Sequence, residues 1–287
     1  IFCIVFAEFG LRIFEDQHHS VYPKGLFVKD KKNGYKLAKN FEGKHVFQDF
    51  SYNVKTNKYG CFENEINRKN AEILIVGDSH VWGFVRSEDR YSSILRNKYN
   101  LKTYNCALTG SGTLQQKNIY LNLLEKGFKP KIIILGYTPF NDIEDDTLFP
   151  EYAVWNGILF KNRDFFIQNN GAANFKKIKK LPITFSRKIK SLLHRNSSIY
   201  RYSYLLKNRL INKTEIINMN RPLINNLSKT RLIYNLKKEN KYLFDQNILN
   251  IKEFANIARD NQAKLIIAPT PTNNKYCSQS YQQSISY

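Results

Sequence analysis

The chain has 287 residues, of which 42% are apolar, and a formal net charge of +21. A chain of this length and apolar content is neither too small nor too polar to bury a hydrophobic core. It can form one large domain or two small ones. The charge fits an anionic partner such as a membrane surface, a nucleic acid or an acidic glycan. The alternative is a compositional bias toward lysine, asparagine and isoleucine without any binding role, to which we assign most of the excess charge.

The four cysteines are widely scattered, at Cys3, Cys61, Cys106 and Cys277. They show neither a Cys-x-x-Cys pair nor a Cys/His ligand spacing, so the sequence predicts no metal site, and we expect no cofactor. Cys106 lies in an apolar run and is interpreted as a buried thiol. The spacing assigns no disulfide pairing.

Residues 1–16 begin with an apolar run, IFCIVFAEFGLRIF. Seven apolar residues precede Glu8, too few to cross a bilayer, which needs roughly 20. The run is either the remnant of a membrane anchor or signal segment whose front is missing, or an amphipathic helix of the domain. We take it as the anchor remnant, which predicts attachment to a membrane.

Residues 17–70 are polar and carry turn signals at Lys31–Gly34 and Asn57–Gly60. The alternation of Phe50–Val54 predicts a half-buried strand. We therefore expect a small β-rich lead-in that packs against the main domain, residues 71–287.

From Ile73 onward the pattern alternates between strands and helices. The apolar, β-branched run Ile73–Val76 predicts a strand buried on both faces. Further strands are predicted at Tyr104–Leu108, Lys131–Tyr137 and Ala263–Pro269, and helices at Ser87–Tyr99, Thr113–Lys126 and Phe244–Gln262. This alternation implies right-handed βαβ units, a parallel sheet and the α/β class.

A basic insertion at about 147–243 interrupts that alternation. Its predicted helices are Asn174–Leu193, Ser203–Ile211 and Leu223–Asn240. Residues 151–250 hold 20 Lys and Arg against 5 Asp and Glu. The insertion is either a solvated helical region with an ordinary apolar face or a cationic surface for anionic lipids or polymers.

The sequence Gly77-Asp78-Ser79-His80 directly follows the first strand. Taken alone, it is either a helix N-cap or a serine held at the sheet edge where ligands of open α/β sheets bind. Gly110 and Asn141 follow the next two strands and favour the second interpretation. A serine that attacks a carbonyl needs donors for the developing oxyanion, and a glycine N–H and an asparagine amide can supply them. The sequence predicts Ser79 as the nucleophile.

These strand ends resemble the motifs of the SGNH (GDSL-type) hydrolase superfamily, especially its membrane-anchored bacterial members. The matching residues read GDSH at Gly77–His80, NCALTGSGT at Asn105–Thr113 and GYTPFND at Gly136–Asp142. The resemblance implies a three-layer flavodoxin-like parallel sheet. It also implies an oxyanion hole formed by the Ser79 N–H, the Gly110 N–H and the Asn141 side chain.

The chain departs from the family pattern at its general base. The family supplies Asp and His from a block after the last strand, whereas the histidines here are His18, His19, His45, His80 and His194. None of them is expected to act as the base, and His80 is expected to point away from Ser79. The base is therefore unknown and expected beyond Tyr287, in a chain that looks truncated at both ends. Phe140 also stands where these relatives usually have glycine.

The acidic group Asp142, Glu144, Asp145 and Asp146 could suggest a cation site. Without a partner ligand elsewhere in the sequence, we interpret this group as a solvated loop.

The resemblance implies a serine esterase or O-acyltransferase that works through a Ser79 acyl-enzyme, outside the cytoplasm of a bacterium. Its expected partners are an acyl or acetyl ester, carried by a carbohydrate or cell-envelope polymer, and a membrane reached through the missing N-terminal anchor. The alternative is a catalytically incomplete SGNH-like binding module for an anionic polymer or membrane surface. Nucleic-acid binding rests on charge alone and is not favoured.

Overall fold

The computed structural model describes residues 2–14, 22–46, 50–62, 72–146, 150–167, 173–204, 206–207 and 241–270. The strands in chain order are β1 (Phe27–Asp30), β2 (Gly34–Leu37), β3 (Glu42–Val46), β4 (Ser51–Lys55), β5 (Ile73–Gly77), β6 (Thr103–Asn105), β7 (Ile132–Tyr137), β8 (Tyr152–Trp155), β9 (Ile158–Lys161), β10 (Arg163–Ile167), β11 (Ala173–Lys180) and β12 (Lys264–Pro269). The helices are α1 (Phe2–Phe14), α2 (Ser79–Trp82), α3 (Tyr91–Tyr99), α4 (Thr113–Glu125), α5 (Pro139–Asp145), α6 (Phe185–Asn196) and α7 (Lys241–Asp260).

Four strands form an all-parallel sheet in the order β12-β7-β5-β6. The predicted α/β class and parallel sheet are confirmed. If the four strands are renumbered 1 to 4 in chain order, their order across the sheet, read from β6 to β12, is 2-1-3-4. Flavodoxin-like sheets begin with the same order. In that order the chain reverses its winding direction between β5 and β7, and the carboxyl ends of these two strands border a crevice where ligands of such sheets bind.

The sheet lies between two packed layers. Ile75 of β5 packs on the side that holds the N-terminal hairpins and α2, and Val76 packs on the side of α4 and α7. In the second layer, Tyr120 of α4 stacks on Phe254 of α7 with 5.6 Å between ring centroids. All five residues of β5 are buried, as its uninterrupted apolar run predicts. The arrangement is compatible with a three-layer α/β fold.

Two antiparallel hairpins, β1–β2 and β3–β4, lie in the predicted β-rich lead-in. Phe27 and Tyr35 from the first hairpin are fully buried in the core on that side of the sheet. The Tyr35 hydroxyl reaches the loop after β6, where it donates to the Thr109 carbonyl at 2.6 Å. The first hairpin therefore braces a loop at the carboxyl edge of the sheet.

Two glycines allow α2 to lie directly on the sheet. Gly77 ends β5, and its partner in β7 is Gly136. A Cβ atom on either glycine would lie 2.1 Å from Cγ2 of Val81, which α2 packs onto this point. The absence of side chains at these two positions thus determines how closely α2, which begins at Ser79, approaches the strand ends.

The helical insertion predicted at about 147–243 is wrong in its first part, which folds into the hairpins β8–β9 and β10–β11. Asn156 and Gly157 join β8 to β9, and both have positive φ, 48° and 72°. An Asn-Gly pair with two positive φ angles is a strong hairpin signal, which the helical interpretation overlooked. The predicted helix Asn174–Leu193 is also wrong over β11, and α6 begins only at Phe185, after the N-cap Thr184.

The other predicted helices of the insertion are covered only in part. Residues 198–204 are helical and overlap the start of the predicted helix Ser203–Ile211. The predicted helix Leu223–Asn240 lies outside the described residues. Within the part of the chain that is described, no helix combines the length and the hydropathy needed to cross a membrane.

A disulfide joins Cys61 to Cys106 across a sequence separation of 45 residues. The interpretation of Cys106 as a buried thiol is therefore wrong. The sequence carried no sign of this pairing, because the two cysteines meet only when the segment after β4 packs beside β6. In the same contact, the Phe62 N–H donates to the Asn105 carbonyl at 2.9 Å.

Replacing Cys61 and Cys106 together with serine is expected to lower the free energy of unfolding by about 4 kcal/mol, the chain-entropy value for a loop of this length. Urea unfolding of the oxidised protein and the double variant measures the difference. Cys3→Ser is the matched control, because Cys3 is an exposed free thiol. Equal midpoints for the double variant and the wild type would contradict a structural role for the bridge.

Candidate active site

The three predicted site residues lie after three neighbouring strands of the parallel sheet. Ser79 begins α2 directly after β5, Gly110 lies in the loop after β6, and Asn141 lies in α5 after β7. Hydrogen bonds join these segments: the Leu108 N–H donates to the Gly77 carbonyl at 2.9 Å, and the Asn141 Nδ2 donates to Asp78 Oδ2 at 3.1 Å. The structure thus brings the predicted residues to one edge of the sheet.

Ser79 is the first residue of α2, and Asp78 is the N-cap of this helix. Asp78 is fully buried, and its Oδ1 accepts the His80 N–H at 2.8 Å. The Ser79 N–H has no acceptor within the helix, since the first N–H groups of a helix lack intrahelical partners. The Ser79 side chain is half-buried, and among the described residues its hydroxyl has no hydrogen-bond partner. Both donor groups of Ser79 are therefore available to a ligand.

Gly110 is buried in a left-handed conformation, with φ of 62°. The Tyr35 hydroxyl also lies 2.7 Å from the Gly110 carbonyl, which shares its single hydrogen with the Thr109 carbonyl. A Cβ atom at position 110 would lie 2.3 Å from Oε2 of Glu151 and 2.4 Å from Cε2 of Tyr152. Both the backbone conformation and the tight surroundings therefore require glycine.

Asn141 is oriented by Asp78. A side-chain amide carries two N–H donors, and Asp78 Oδ2 accepts only one of them. The partly exposed Asn141 amide therefore keeps a second donor while the first fixes its orientation. This is the arrangement that an oxyanion donor needs, because it does not have to reorganise during the reaction. Asp78 thus has two structural roles, as helix cap and as the residue that positions Asn141.

The interpretation of the acidic group as a solvated loop is wrong for three of its members. Asp142 is fully buried, and Asp145 and Asp146 are each 8% exposed. Asp142 Oδ2 accepts the Thr138 N–H at 2.5 Å, which fixes the start of α5. Burial raises the pKa of Asp142 well above its usual value, and the neighbouring charge of Asp78 adds to the rise.

Asp145 and Asp146 hold α5 in place through different partners. Asp145 forms a buried ion pair with Arg163 of β10. Asp146 accepts the Asn247 Nδ2 of α7 at 2.8 Å and the Leu114 N–H of α4 at 2.8 Å. The described residues contain no group of side chains suited to hold a metal ion. Asp142, Asp145 and Asp146 therefore hold in place the helix that carries Asn141.

Glu151 and Tyr152 are site residues that sequence reasoning missed. They stand at the start of the β8–β9 hairpin and lie against Gly110, where they occupy the space that a Cβ atom at this position would need. Burial raises the pKa of Glu151, and the charge of Asp78 adds to the rise, whereas a hydrogen bond from Tyr152 and the charge of Arg163 oppose it. The Asn-Gly turn could have located the hairpin, but no local signal places its first residues over Gly110.

None of the described histidines forms a hydrogen bond with the Ser79 hydroxyl. His80 is exposed, and His194 of α6 packs edge-on against Tyr204. His45 is buried, and its Nδ1 lies 2.8 Å from the Tyr52 hydroxyl. Burial lowers the pKa of His45 to about 4, so its ring is neutral at pH 7. His18 and His19 lie outside the described residues.

No protein-family model matches the chain, and a search of curated proteins finds no significant relative.

Proposed function

We propose that the chain is an SGNH-type serine hydrolase domain that acts as an esterase or O-acyltransferase on acyl esters, with Ser79 as its nucleophile. The convergence of Ser79, Gly110 and Asn141 at the carboxyl edge of the neighbouring strands β6, β5 and β7 carries this proposal. Acetyl esters of carbohydrates or cell-envelope polymers are the proposed substrates, following the resemblance of the three motifs to that family.

In the proposed reaction, the Ser79 Oγ attacks the ester carbonyl carbon, and a base takes the hydroxyl proton. Negative charge then develops on the former carbonyl oxygen. The N–H groups of Ser79 and Gly110 and the free N–H of Asn141 stabilise that charge. When the tetrahedral intermediate collapses, the bond to the alcohol oxygen breaks, the leaving alcohol takes the proton from the base, and the acyl group stays on Ser79. Water or a sugar hydroxyl then accepts it.

The general base is proposed to come from residues that follow β12. The end of this strand lies beside the end of β7, where the Thr270 N–H donates to the Tyr137 carbonyl at 2.9 Å and the Thr270 hydroxyl lies 3.0 Å from that of Thr138. The chain therefore leaves β12 at the same sheet edge as Ser79. In the SGNH family, the histidine that acts as the general base follows the last strand of the sheet.

The disulfide supports a location outside the cytoplasm. Structural disulfides persist in oxidising compartments such as the bacterial periplasm and cell surface, and are rare in the cytosol. The Cys61–Cys106 bridge thus agrees with the proposed extracytoplasmic location.

A fluorophosphonate probe tests the proposed nucleophile. In the protein expressed from its complete gene, we expect one adduct, on the peptide that contains Ser79. Denatured protein is the control for non-specific reaction. A folded protein without any adduct at Ser79 would favour the second candidate, a binding module that keeps the scaffold but lacks the base. That candidate is supported by the described histidines, none of which hydrogen-bonds to Ser79.

The position of Glu151 makes the proposed reaction sensitive to pH. The protonated Glu151 side chain is neutral and does not affect the oxyanion that forms beside Gly110. The ionised carboxylate is negatively charged and destabilises this oxyanion by repulsion. Since its pKa is raised, the inhibitory charge appears above the ordinary glutamate range. Glu151→Gln is therefore expected to increase kcat/KM about tenfold at high pH, in line with ~1–4 kcal/mol for nearby like charges.

The measurement is the ratio of kcat/KM for Glu151→Gln to kcat/KM for the wild type, determined over a range of pH. It should be near one at low pH and rise as the wild-type carboxyl ionises, because titration of the base is common to both proteins. The stability of the wild type should likewise fall relative to the variant as the pH rises through the raised pKa. A ratio that is constant with pH would contradict this role.

A further inference from the structure

Helix α1 points its apolar side chains away from the protein. Phe2, Phe6, Phe9 and Ile13 are 80%, 74%, 68% and 71% exposed. Their spacing of four, three and four residues places them on one face of the helix. In an ordinary surface helix this is the face that packs on the core, so in α1 the usual orientation is reversed.

The polar face attaches α1 to the rest of the chain. The Glu8 carboxylate accepts the Ser198 N–H at 2.8 Å and the Ser197 hydroxyl at 3.0 Å, and Arg12 donates to the Asn196 carbonyl at 2.5 Å. Burial opposes ionisation of Glu8, but these hydrogen bonds, with that from Arg12, lower its pKa to about 2. Polar contacts at the end of α6 therefore hold α1 with its apolar face outward.

Helix α6 exposes a second apolar stripe. Phe185, Ile189 and Leu192 are 76%, 40% and 39% exposed, and their spacing of four and three residues places them on one face. The segment that contains this stripe is strongly basic, since residues 165–214 hold 12 Lys and Arg and no Asp or Glu. Lys190 of α6 is itself exposed.

We propose that α1 and α6 form a docking surface for the anionic face of a lipid bilayer, consisting of Phe2, Phe6, Phe9, Ile13, Phe185, Ile189 and Leu192. Apolar stripes flanked by basic residues are the composition of interfacial helices, whose side chains enter the headgroup and acyl boundary while cations contact anionic lipids. The 13 residues of α1 form more than three helical turns, enough for the helix to lie in the surface of a bilayer. The like charge around the α6 stripe disfavours a second copy of the chain as the occupant.

Sedimentation with vesicles tests the docking surface. The purified chain is expected to bind vesicles of phosphatidylglycerol and phosphatidylcholine at least tenfold more tightly than vesicles of phosphatidylcholine alone, with weaker binding at high salt. The triple variant Phe185→Gln, Ile189→Gln, Leu192→Gln should bind the anionic vesicles at least tenfold more weakly than the wild type. The triple variant Phe2→Gln, Phe6→Gln, Phe9→Gln should show the same loss of affinity. The matched control is Ile248→Gln with Leu249→Gln on α7, residues that are 46% and 47% exposed, and it should bind like the wild type.

Three results would overturn the proposal: equal binding to both vesicle types, equal binding by the triple variants and the control, or a concentration-dependent dimer that the triple variants abolish. Circular dichroism of each variant checks that the fold is retained, which these exposed positions favour. Turnover of a soluble ester by Ser79 is expected to be unchanged in the same variants. The docking surface and the proposed reaction can therefore fail independently.

Discussion

Replacing Ser79 with alanine is expected to reduce ester turnover by about 10³-fold or more, because the variant has no group that can carry the acyl intermediate. The oxyanion donors remain in Ser79→Ala, so a small residual rate above that of water is expected. Initial rates with a chromogenic acetyl ester, in the protein expressed from its complete gene, measure the loss.

His80→Ala is the matched control for this loss. His80 is exposed and follows Ser79 in the same short helix, and only its backbone N–H contacts Asp78. Alanine keeps that N–H, so the variant should retain most of the wild-type rate. Loss of activity in His80→Ala as large as in Ser79→Ala would mean that the exposed imidazole is part of the machinery, contrary to the expectation that it points away from Ser79.

Replacing Asn141 with alanine is expected to lower kcat by about 10²- to 10³-fold, the cost of one oxyanion donor. The donor acts on the charge of the tetrahedral intermediate, so KM should change little. Asp78→Asn should also lower kcat, because Asp78 Oδ2 accepts one of the two Asn141 N–H groups and fixes the amide. If Asn141→Ala raises KM and leaves kcat unchanged, Asn141 contributes to substrate binding and not to stabilisation of the oxyanion.

The double variant Asp78→Asn with Asn141→Ala shows whether Asp78 acts by positioning the Asn141 amide or only by stabilising the structure. If Asp78 acts on the reaction through Asn141, the effects of Asp78→Asn and Asn141→Ala on kcat should be strongly non-additive. Thermal unfolding of each variant reports the separate cost of weakening the cap of α2. Additive effects on kcat would show that Asp78 supports the site by another route.

The parts of the fold that the sequence predicted depend on local patterns. Ile73–Val76 could be recognised as a buried strand because its four residues are uniformly apolar and β-branched or aliphatic. Ser79, Gly110 and Asn141 could be predicted to converge because each follows a strand, and the ends of parallel strands meet at one edge. No contact between the three had to be known in advance.

The parts that sequence reasoning missed depend on contacts between distant segments. Cys61 and Cys106 are separated by 45 residues, and neither has a neighbouring signal. Glu151 approaches Gly110 only because the hairpin after α5 folds back over the loop after β6. The same holds for Asp146, whose burial requires Asn247 from α7 to supply a hydrogen bond. Charge in the sequence suggested solvent, but tertiary partners allowed burial.

Trapping the intermediate tests the central proposal most directly. The protein from the complete gene is mixed with an activated acetyl ester and quenched in acid during the first turnover, and its peptides are analysed by mass spectrometry. The proposal predicts one acetyl group on the peptide that contains Ser79, absent from Ser79→Ala. Ester turnover without acetylated Ser79, or with the acetyl group on another residue, would contradict Ser79 as the nucleophile.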